Sequence, residues 1–359
     1  MRFAVIMAGG SGTRLWPLSR RGTPKQLLRL IEGKSLLRIA YERLGDLVPP
    51  ERVLVCTGAA YADQVRAELP EVPAENILGE PEGRDSLNAV AWPAAVIAAR
   101  DPHAVIAQVT ADQLIEPVAV FTDALVEAFE VAEADPSALV TLGVVPTSAH
   151  TGYGYLHRGA VVPGHPHTHR VIEFREKPDA ATAQHYVDSG QYWWNAGMFV
   201  WQAATFLDQL AQLHPANHES VLELAAHPDR LGRIFPTLHR TSVDYGIMEP
   251  VSAGAGTAHV LAVALPVIWR DVGGYASLAE ILSHDAAGNA LIGASVHLDA
   301  TDNVIINTAG EGHLIGLLGC SGLVVVATPT TTMVAPVEQA ERIRELVALV
   351  RAEAGEQHV

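Results

Sequence analysis

Over its first 145 residues the chain alternates short apolar runs with helical patterns, and that alternation leaves few folds open. Residues 3–7, 52–56, 76–79, 104–109 and 138–145 read as strands, rich in Val, Ile, Leu and Ala, of the kind that a parallel sheet buries on both faces. Between them Ser35 can cap a helix that buries Leu36, Leu37, Ile39, Ala40 and Leu44. Residues 61–69 form a short helix, and 119–132 a longer one. Asp85 or Ser86 caps an Ala-rich helix reaching about Ala99, apolar nearly all round and therefore buried. The pattern predicts α/β architecture, a doubly wound and mostly parallel sheet with helices on both faces. From Gly152 the texture turns aromatic and turn-rich, as if an insertion built the second wall of a cleft. Pro215, Pro228 and Pro236 punctuate a helical stretch, and strands resume over 258–269. A boundary falls near 283–288, dividing the chain into 1–283 and 284–359. The second part holds strand-like runs at 294–298, 303–307, 313–318 and 323–327, with no helix until 338–352, so it is a small β-rich module with a terminal helix.

The first strand feeds Ala8-Gly9-Gly10-Ser11-Gly12-Thr13-Arg14-Leu15-Trp16-Pro17-Leu18-Ser19-Arg20, closing with Pro24-Lys25-Gln26. A strand entering a glycine-rich turn places unhindered backbone N–H groups where they can wrap a polyphosphate. Residues 1–31 contain Arg2, Arg14, Arg20, Arg21, Lys25 and Arg29 and no acid, in a chain of net charge −16. Such an island points to an anionic ligand. The loop is neither a Walker loop, lacking Gly-Lys-Ser/Thr at the right spacing, nor a dinucleotide fingerprint, because Pro17 and Pro24 keep it from running straight into a helix.

With 359 residues, 49% of them hydrophobic, the chain can bury one large core and a smaller one. Its acidity argues against nucleic acid and anionic membranes as partners. No long uncharged apolar run suggests a membrane span, and the N-terminus is too brief for a signal peptide. Cys56 and Cys320 lie far apart in apolar runs and read as buried free thiols, which fits a cytoplasmic location. The tract from Gly164 to His169 has the composition of a metal site, but its Gly and Pro predict an exposed loop.

The loop closely resembles the signature of the sugar-1-phosphate nucleotidyltransferases, and its Trp-Pro-Leu-Ser-Arg and Pro-Lys-Gln portions resemble the mannose-1-phosphate guanylyltransferase branch. The resemblance implies a Rossmann-like catalytic domain followed by a small β-helix or β-roll. It implies GTP and a sugar 1-phosphate as substrates. Such a reaction brings two anions together, so the site needs cations and a divalent metal, Mg²⁺ or Mn²⁺. Arg14 and Lys25 flank the glycine loop as candidate catalytic cations, with Gly9, Gly10, Gly12 and Thr13 as nucleotide ligands. Asp112 follows a strand at its carboxyl end, where open α/β sheets place ligands, and Asp271 sits in Trp269-Arg270-Asp271-Val272-Gly273-Gly274. In the resembled family this pair chelates the metal.

By the same resemblance Gly154 makes a close backbone contact with the sugar, Glu176 and Asn195 bind its hydroxyls, and Lys177 holds its phosphate. The segment Gly79-Glu80-Pro81-Glu82-Gly83-Arg84-Asp85-Ser86 joins a strand to a helix N-terminus that can point at the nucleotide. In the resembled family it reads guanine, which makes Glu80, Arg84, Asp85 and Ser86 candidate base ligands. Ser242-Val243-Asp244-Tyr245-Gly246-Ile247-Met248-Glu249 matches another family segment and is read as a wall of the sugar pocket. Three departures stand out. Arg84-Asp85-Ser86-Leu87-Asn88-Ala89 replaces Arg-Asn-Thr-Ala-Pro-Ala, Thr110-Ala111-Asp112-Gln113 replaces Pro-Ala-Asp-His, and Pro250 replaces a Lys. They leave open a heptose 1-phosphate guanylyltransferase, a thymidylyl- or uridylyltransferase acting on glucose 1-phosphate, or a catalytically silent nucleotide-sugar-binding relative. A homodimer is also left open.

Overall fold

The computed structural model describes every residue except Ser11, which belongs to the glycine loop and lies outside the described residues. Its largest element is a nine-stranded sheet of β1 (Arg2–Ala8), β2 (Val53–Gly58), β3 (Ile77–Glu80), β4 (Val105–Thr110), β6 (Ala138–Val144), β7 (Tyr155–Val162), β8 (His165–Arg175), β9 (Tyr192–Gln202) and β10 (His259–Ala264). A separate ribbon pairs β5 (Gln113–Glu116) with β11 (Ile268–Asp271). The order of the large sheet is β3-β2-β1-β4-β9-β6-β10-β8-β7. Parallel pairing joins β3, β2, β1 and β4, and again β6 and β10. β9 runs antiparallel between β4 and β6, and β8 runs antiparallel between β10 and β7. All the apolar runs expected in the first 145 residues are strands, and every residue of β6 is buried, as a strand with helices over both faces requires.

The helices are α1 (Leu36–Glu42), α2 (Ala62–Glu68), α3 (Asp85–Arg100), α4 (Val118–Ala134), α5 (Ala180–Ser189), α6 (Ala203–Leu213), α7 (Pro215–Ala226), α8 (Leu231–Ile234), α9 (Glu249–Ser252), α10 (Tyr275–Ala279) and α11 (Ile343–Glu353). Ser35 caps α1, its Oγ accepting from Arg38 N–H at 3.0 Å. The Ala-rich α3 is buried over most of its length; Leu87, Val90, Trp92 and Ile97 share a core with Phe3, Ile106, Trp201 and Phe206.

Two expectations are corrected. The His165-Pro166-His167-Thr168-His169 tract is no loop: it opens β8, hairpin partner of β7, after a turn in which Gly164 takes φ 85°. Thr168 is buried there and donates its hydroxyl hydrogen to Glu127 Oε1 at 2.7 Å, so the strand is held by α4 despite its polar sequence. Cys56 is a buried free thiol as expected, but Cys320, also free, is only partly buried.

Contacts within the chain gather residues 1–9, 40–111 and 115–269 into one compact unit, and 10–39, 112–114 and 270–359 into another. The first holds the nine-stranded sheet. The second holds the strands β12 (Ala290–Ile292), β13 (Ser295–Leu298), β14 (Val304–Asn307), β15 (Ile315–Leu318), β16 (Leu323–Ala327) and β17 (Thr332–Pro336). β12, β14 and β16 stack in parallel, β13 pairs in parallel with β15, and β17 closes antiparallel on β16. Parallel stacking of successive short strands is the coiling of a β-helix. Buried asparagines tie the coils together. Asn289 Oδ1 accepts from the backbone N–H and the side-chain Nδ2 of Asn303, and Asn303 Oδ1 accepts from Leu323 N–H. The glycine loop belongs to this unit's core, where Leu15, Trp16 and Leu18 pack with Val272, Tyr275, Leu278, Ile306, Val326, Ile343 and Val347.

Candidate active site

In the second unit, Gly10 takes φ 93° and Gly12 φ 60°, backbone that favours glycine. Gly12 precedes a 3₁₀ turn over Thr13–Leu15. It has a second reason to lack a side chain, since a Cβ there would sit 2.8 Å from Lys25 Cβ. The loop is thus folded against the stem of Lys25. Pro24 sets the extended entry to the turn Lys25–Leu27, and Lys25 Nζ reaches Asp112 Oδ2 at 2.6 Å and Val272 O at 3.5 Å. Asp112 is fixed by its backbone carbonyl, which accepts from Val272 N–H at 2.9 Å. Asp271 ends β11, and a Cβ on Gly273 would lie 3.1 Å from Asp271 Oδ2 and 3.5 Å from Arg14 Nη1. Arg14 also stands 3.5 Å from Glu341 Oε2. Burial pushes the Asp271 carboxyl up to about 6; the negative charge of Asp112 adds to the shift, and Lys25 and Arg14 oppose it. Arg14, Lys25, Asp112 and Asp271 therefore come together from three separate stretches of sequence.

Two mutually repelling carboxylates beside two cations suit Mg²⁺, which takes one or two carboxylates and fills its shell with water and phosphate oxygens. Among the described residues no group of three or more His, Cys, Asp or Glu side chains is placed to hold a metal ion. A substrate phosphate would have to complete the shell. Two other members of the basic island have other work: Arg2 forms a double hydrogen bond with Glu133 in the first unit, and Arg20 donates to Thr328 and Thr330.

In the first unit, Glu80 ends β3 with its side chain buried. Its Oε1 has no hydrogen-bond partner among the described residues, and Oε2 is 3.7 Å from where a Cβ on Gly9 would stand. Burial pushes this carboxyl up to about 7. Arg84 pairs with Glu82, while its buried Nε has no partner among the described residues. Asp85 takes φ 58°, a left-handed conformation that Asn and Asp tolerate best among side-chain-bearing residues, and accepts from Arg240 Nε at 3.2 Å. That backbone is open to Asp and Asn alike. Ser86 is occupied by the fold: its Oγ accepts from Val243 N–H at 3.0 Å. Asn88, where Pro is usual, donates to Arg84 O and His239 O, both at 2.8 Å.

The four sugar-side residues meet in the same unit. A Cβ on Gly154 would be 2.5 Å from Glu176 Oε2 and 3.3 Å from Asn195 Cβ, so a larger residue there would push the Glu176 carboxylate aside. Gly154 O accepts from Asn195 N–H at 2.8 Å, and Lys177 Nζ is 2.7 Å from Glu176 Oε1. Lys177 takes φ 46°, strained backbone of the kind that functional sites retain. Burial works to lower its pKa, but the Glu176 hydrogen bond and charge outweigh it and the net shift is upward. The segment read as a pocket wall reaches one of these four residues. Asp244 opens a π-helical turn over Asp244–Met248 and accepts from Asn195 Nδ2 at 2.9 Å. A π-turn carries no sequence signature, so its acid could not be singled out.

The family pattern described as nucleotidyl transferase matches residues 3–288. The chain belongs to the nucleotidyl transferase family. Residues 293–349 of this nucleotidyl transferase match a second pattern, the mannose-phosphate isomerase/GMP-like β-helix domain. Similar curated proteins include the mannose-1-phosphate guanylyltransferases of Escherichia coli and Klebsiella pneumoniae, each 35% identical over 98% of this chain and 74% of the relative. A crystal structure described as a mannose-1-phosphate geranyltransferase from Thermus thermophilus superposes with TM-score 0.86 at 33% identity, covering 98% of this chain and 99% of that one. Among the described residues no helix is long and apolar enough to cross a membrane.

Proposed function

We propose that this nucleotidyl transferase moves GMP from GTP to mannose 1-phosphate. A phosphate oxygen of the sugar 1-phosphate forms a bond to the α-phosphorus of GTP, the bridging bond to the β-phosphate breaks, and GDP-mannose and pyrophosphate result. The observation that carries this reading is the meeting of Arg14, Lys25, Asp112 and Asp271, cations and carboxylates in the proportion that phosphoryl chemistry between two anions needs. The names of the Escherichia coli and Klebsiella pneumoniae relatives support the choice of base and sugar.

In this reading Arg14 and Lys25 hold the triphosphate, and their contacts strengthen as charge builds on the leaving pyrophosphate. Backbone N–H groups of Gly9, Gly10, Gly12 and Thr13 wrap the phosphates. Asp112 and Asp271 hold Mg²⁺ or Mn²⁺, which when bound offsets phosphate charge. The nucleophile is already ionised near neutral pH, so no side chain acts as a strong general base. Glu80, Arg84, Asp85 and Ser86 form the base segment; Gly154, Glu176, Lys177 and Asn195 take the sugar phosphate. Residues 1–283 form the catalytic domain and 284–359 the β-rich module. The protein works in the cytoplasm on small molecules, without nucleic acid or membrane as partner, and a homodimer is compatible with this role.

A panel of GTP, ATP, UTP and dTTP against mannose, glucose and heptose 1-phosphates, read by pyrophosphate release, tests the reading. GTP with mannose 1-phosphate should exceed every other pair in kcat/KM by at least about a hundredfold, the discrimination a polar, hydrogen-bonding site achieves. Comparable turnover of dTTP and GTP would overturn the base assignment. Preference for another sugar would overturn the sugar.

A further inference from the structure

Asn195 is built into β9 with its carboxamide almost fully used. Its Oδ1 faces Thr141 Oγ1 at 2.9 Å and Gly197 N–H at 3.1 Å, and one Nδ2 hydrogen goes to Asp244 Oδ1 at 2.9 Å. A primary amide has two donor hydrogens, so one Nδ2–H remains for a ligand. Turning the amide over would set its donors against Gly197 N–H and its oxygen against the Asp244 carboxylate, two repulsive contacts. The Thr141 hydroxyl does not hold the present orientation by itself, because it also lies 3.1 Å from Met198 O and could donate there instead.

We infer that Asp244 is a positioning residue for the sugar 1-phosphate: it fixes the Asn195 amide so that the second Nδ2–H stays directed to a sugar hydroxyl. This rests on the substrate class proposed above, and not on which sugar is preferred. Two charged groups bear on Asp244: Glu176 repels its negative charge and Lys177 attracts it. Burial and then Glu176 push the Asp244 carboxyl up to about 7, with Lys177 and the Asn195 hydrogen bond opposing. An ionised Asp244 accepts only and holds the amide in one orientation. A protonated one has lost the charge that strengthens this bond, so the hold on Asn195 Nδ2 weakens as pH falls below about 7, while Gly197 N–H still faces Oδ1.

The test is a double-mutant cycle on kcat and KM, run with the sugar 1-phosphate that the wild-type enzyme uses best, whichever that is. Asp244→Ala should raise KM for the sugar 1-phosphate about tenfold or more while KM for the nucleotide stays within about twofold. Added to Asn195→Ala, it should cost little further, because the residue through which it acts is gone. Asp244→Asn keeps the shape and covers a failure of the alanine variant to fold. In it the acidic fall of kcat/KM for the sugar substrate near pH 7 should flatten. The inference is overturned if the Asp244 and Asn195 effects multiply independently, if both substrates weaken alike, or if the Asp244→Asn pH profile matches wild type. Wild-type preference for a sugar other than mannose would sink the sugar assignment and leave this inference to stand or fall on the cycle.

Discussion

In the proposed base segment Glu80 presents one atom with chemistry to offer, a buried carboxyl oxygen without a partner among the described residues. Guanine offers N1–H and N2–H donors on one edge, which would satisfy it. Because burial sets this carboxyl near 7, it accepts best when ionised. KM for GTP should therefore fall as pH rises through 7, and Glu80→Gln should flatten that dependence and narrow the preference for GTP over ATP. The same shift has a stability consequence. Between the ordinary 4.5 and about 7 the folded chain keeps a proton that the unfolded chain has lost, so stability falls as pH rises through that window. Glu80→Gln should gain on the parent at pH 8, by on the order of 3 kcal/mol at most, and by almost nothing below pH 4.5. Urea unfolding at the two pH values reads it, and equal gains at both would refute the assignment. Lys25→Ala should cut kcat/KM at least about tenfold, one to three kcal/mol of charge-assisted hydrogen bonding, with pyrophosphate release as the assay; near wild-type turnover by a folded variant would remove Lys25 from the site. The sequence showed Glu80 only as one member of a segment, because burial and a missing partner are properties of packing. Ser86 went the other way: the same segment marked it, and the fold uses its hydroxyl to satisfy Val243 N–H.

At the scale of elements, the glycine loop is held from its own unit by the end of the chain. Tyr275 Oη donates to Leu15 O and Trp16 O at 3.0 and 3.1 Å, Trp16 Nε1 donates to His358 O at 2.7 Å, and Ile343 and Val347 of α11 close the core beneath it. Tyr275→Phe should destabilise the protein by about 1–2 kcal/mol, because the one phenol hydrogen shared by the two carbonyls is lost. Gly12→Ala should be worse for activity than for stability, since its Cβ would displace the Lys25 stem. Thermal melting alongside steady-state kinetics separates the two, and a Gly12→Ala enzyme with unchanged kcat would contradict the packing argument. The strands of the first 145 residues were legible because buried parallel strands leave continuous apolar runs. The hairpin of β7 and β8 was less so: its polar, His-rich strand is held at Thr168 by Glu127, a partner 41 positions away. The asparagine ties between coils were also silent, because a buried Asn and a turn Asn look alike in sequence.

For the whole molecule, distant stretches supply the proposed phosphate-handling centre: Arg14 and Lys25 from the first tenth of the chain, Asp112 from the first third, Asp271 from beyond residue 270. Their residue types were readable from sequence, but their meeting was not, since the contact of residues 10–39 and 112–114 with 270–359 is tertiary. The net charge of −16 makes the demand for a metal sharper, because two further anionic substrates must enter an acidic protein. The most direct test is the Mg²⁺ dependence of pyrophosphate release by the parent, Asp112→Asn and Asp271→Asn. Each substitution keeps the side chain's shape and removes one formal negative charge, so half-maximal activity should move to at least about tenfold higher Mg²⁺ in both. If both variants titrate with Mg²⁺ as the parent does, the two carboxylates are structural and the proposed centre is wrong.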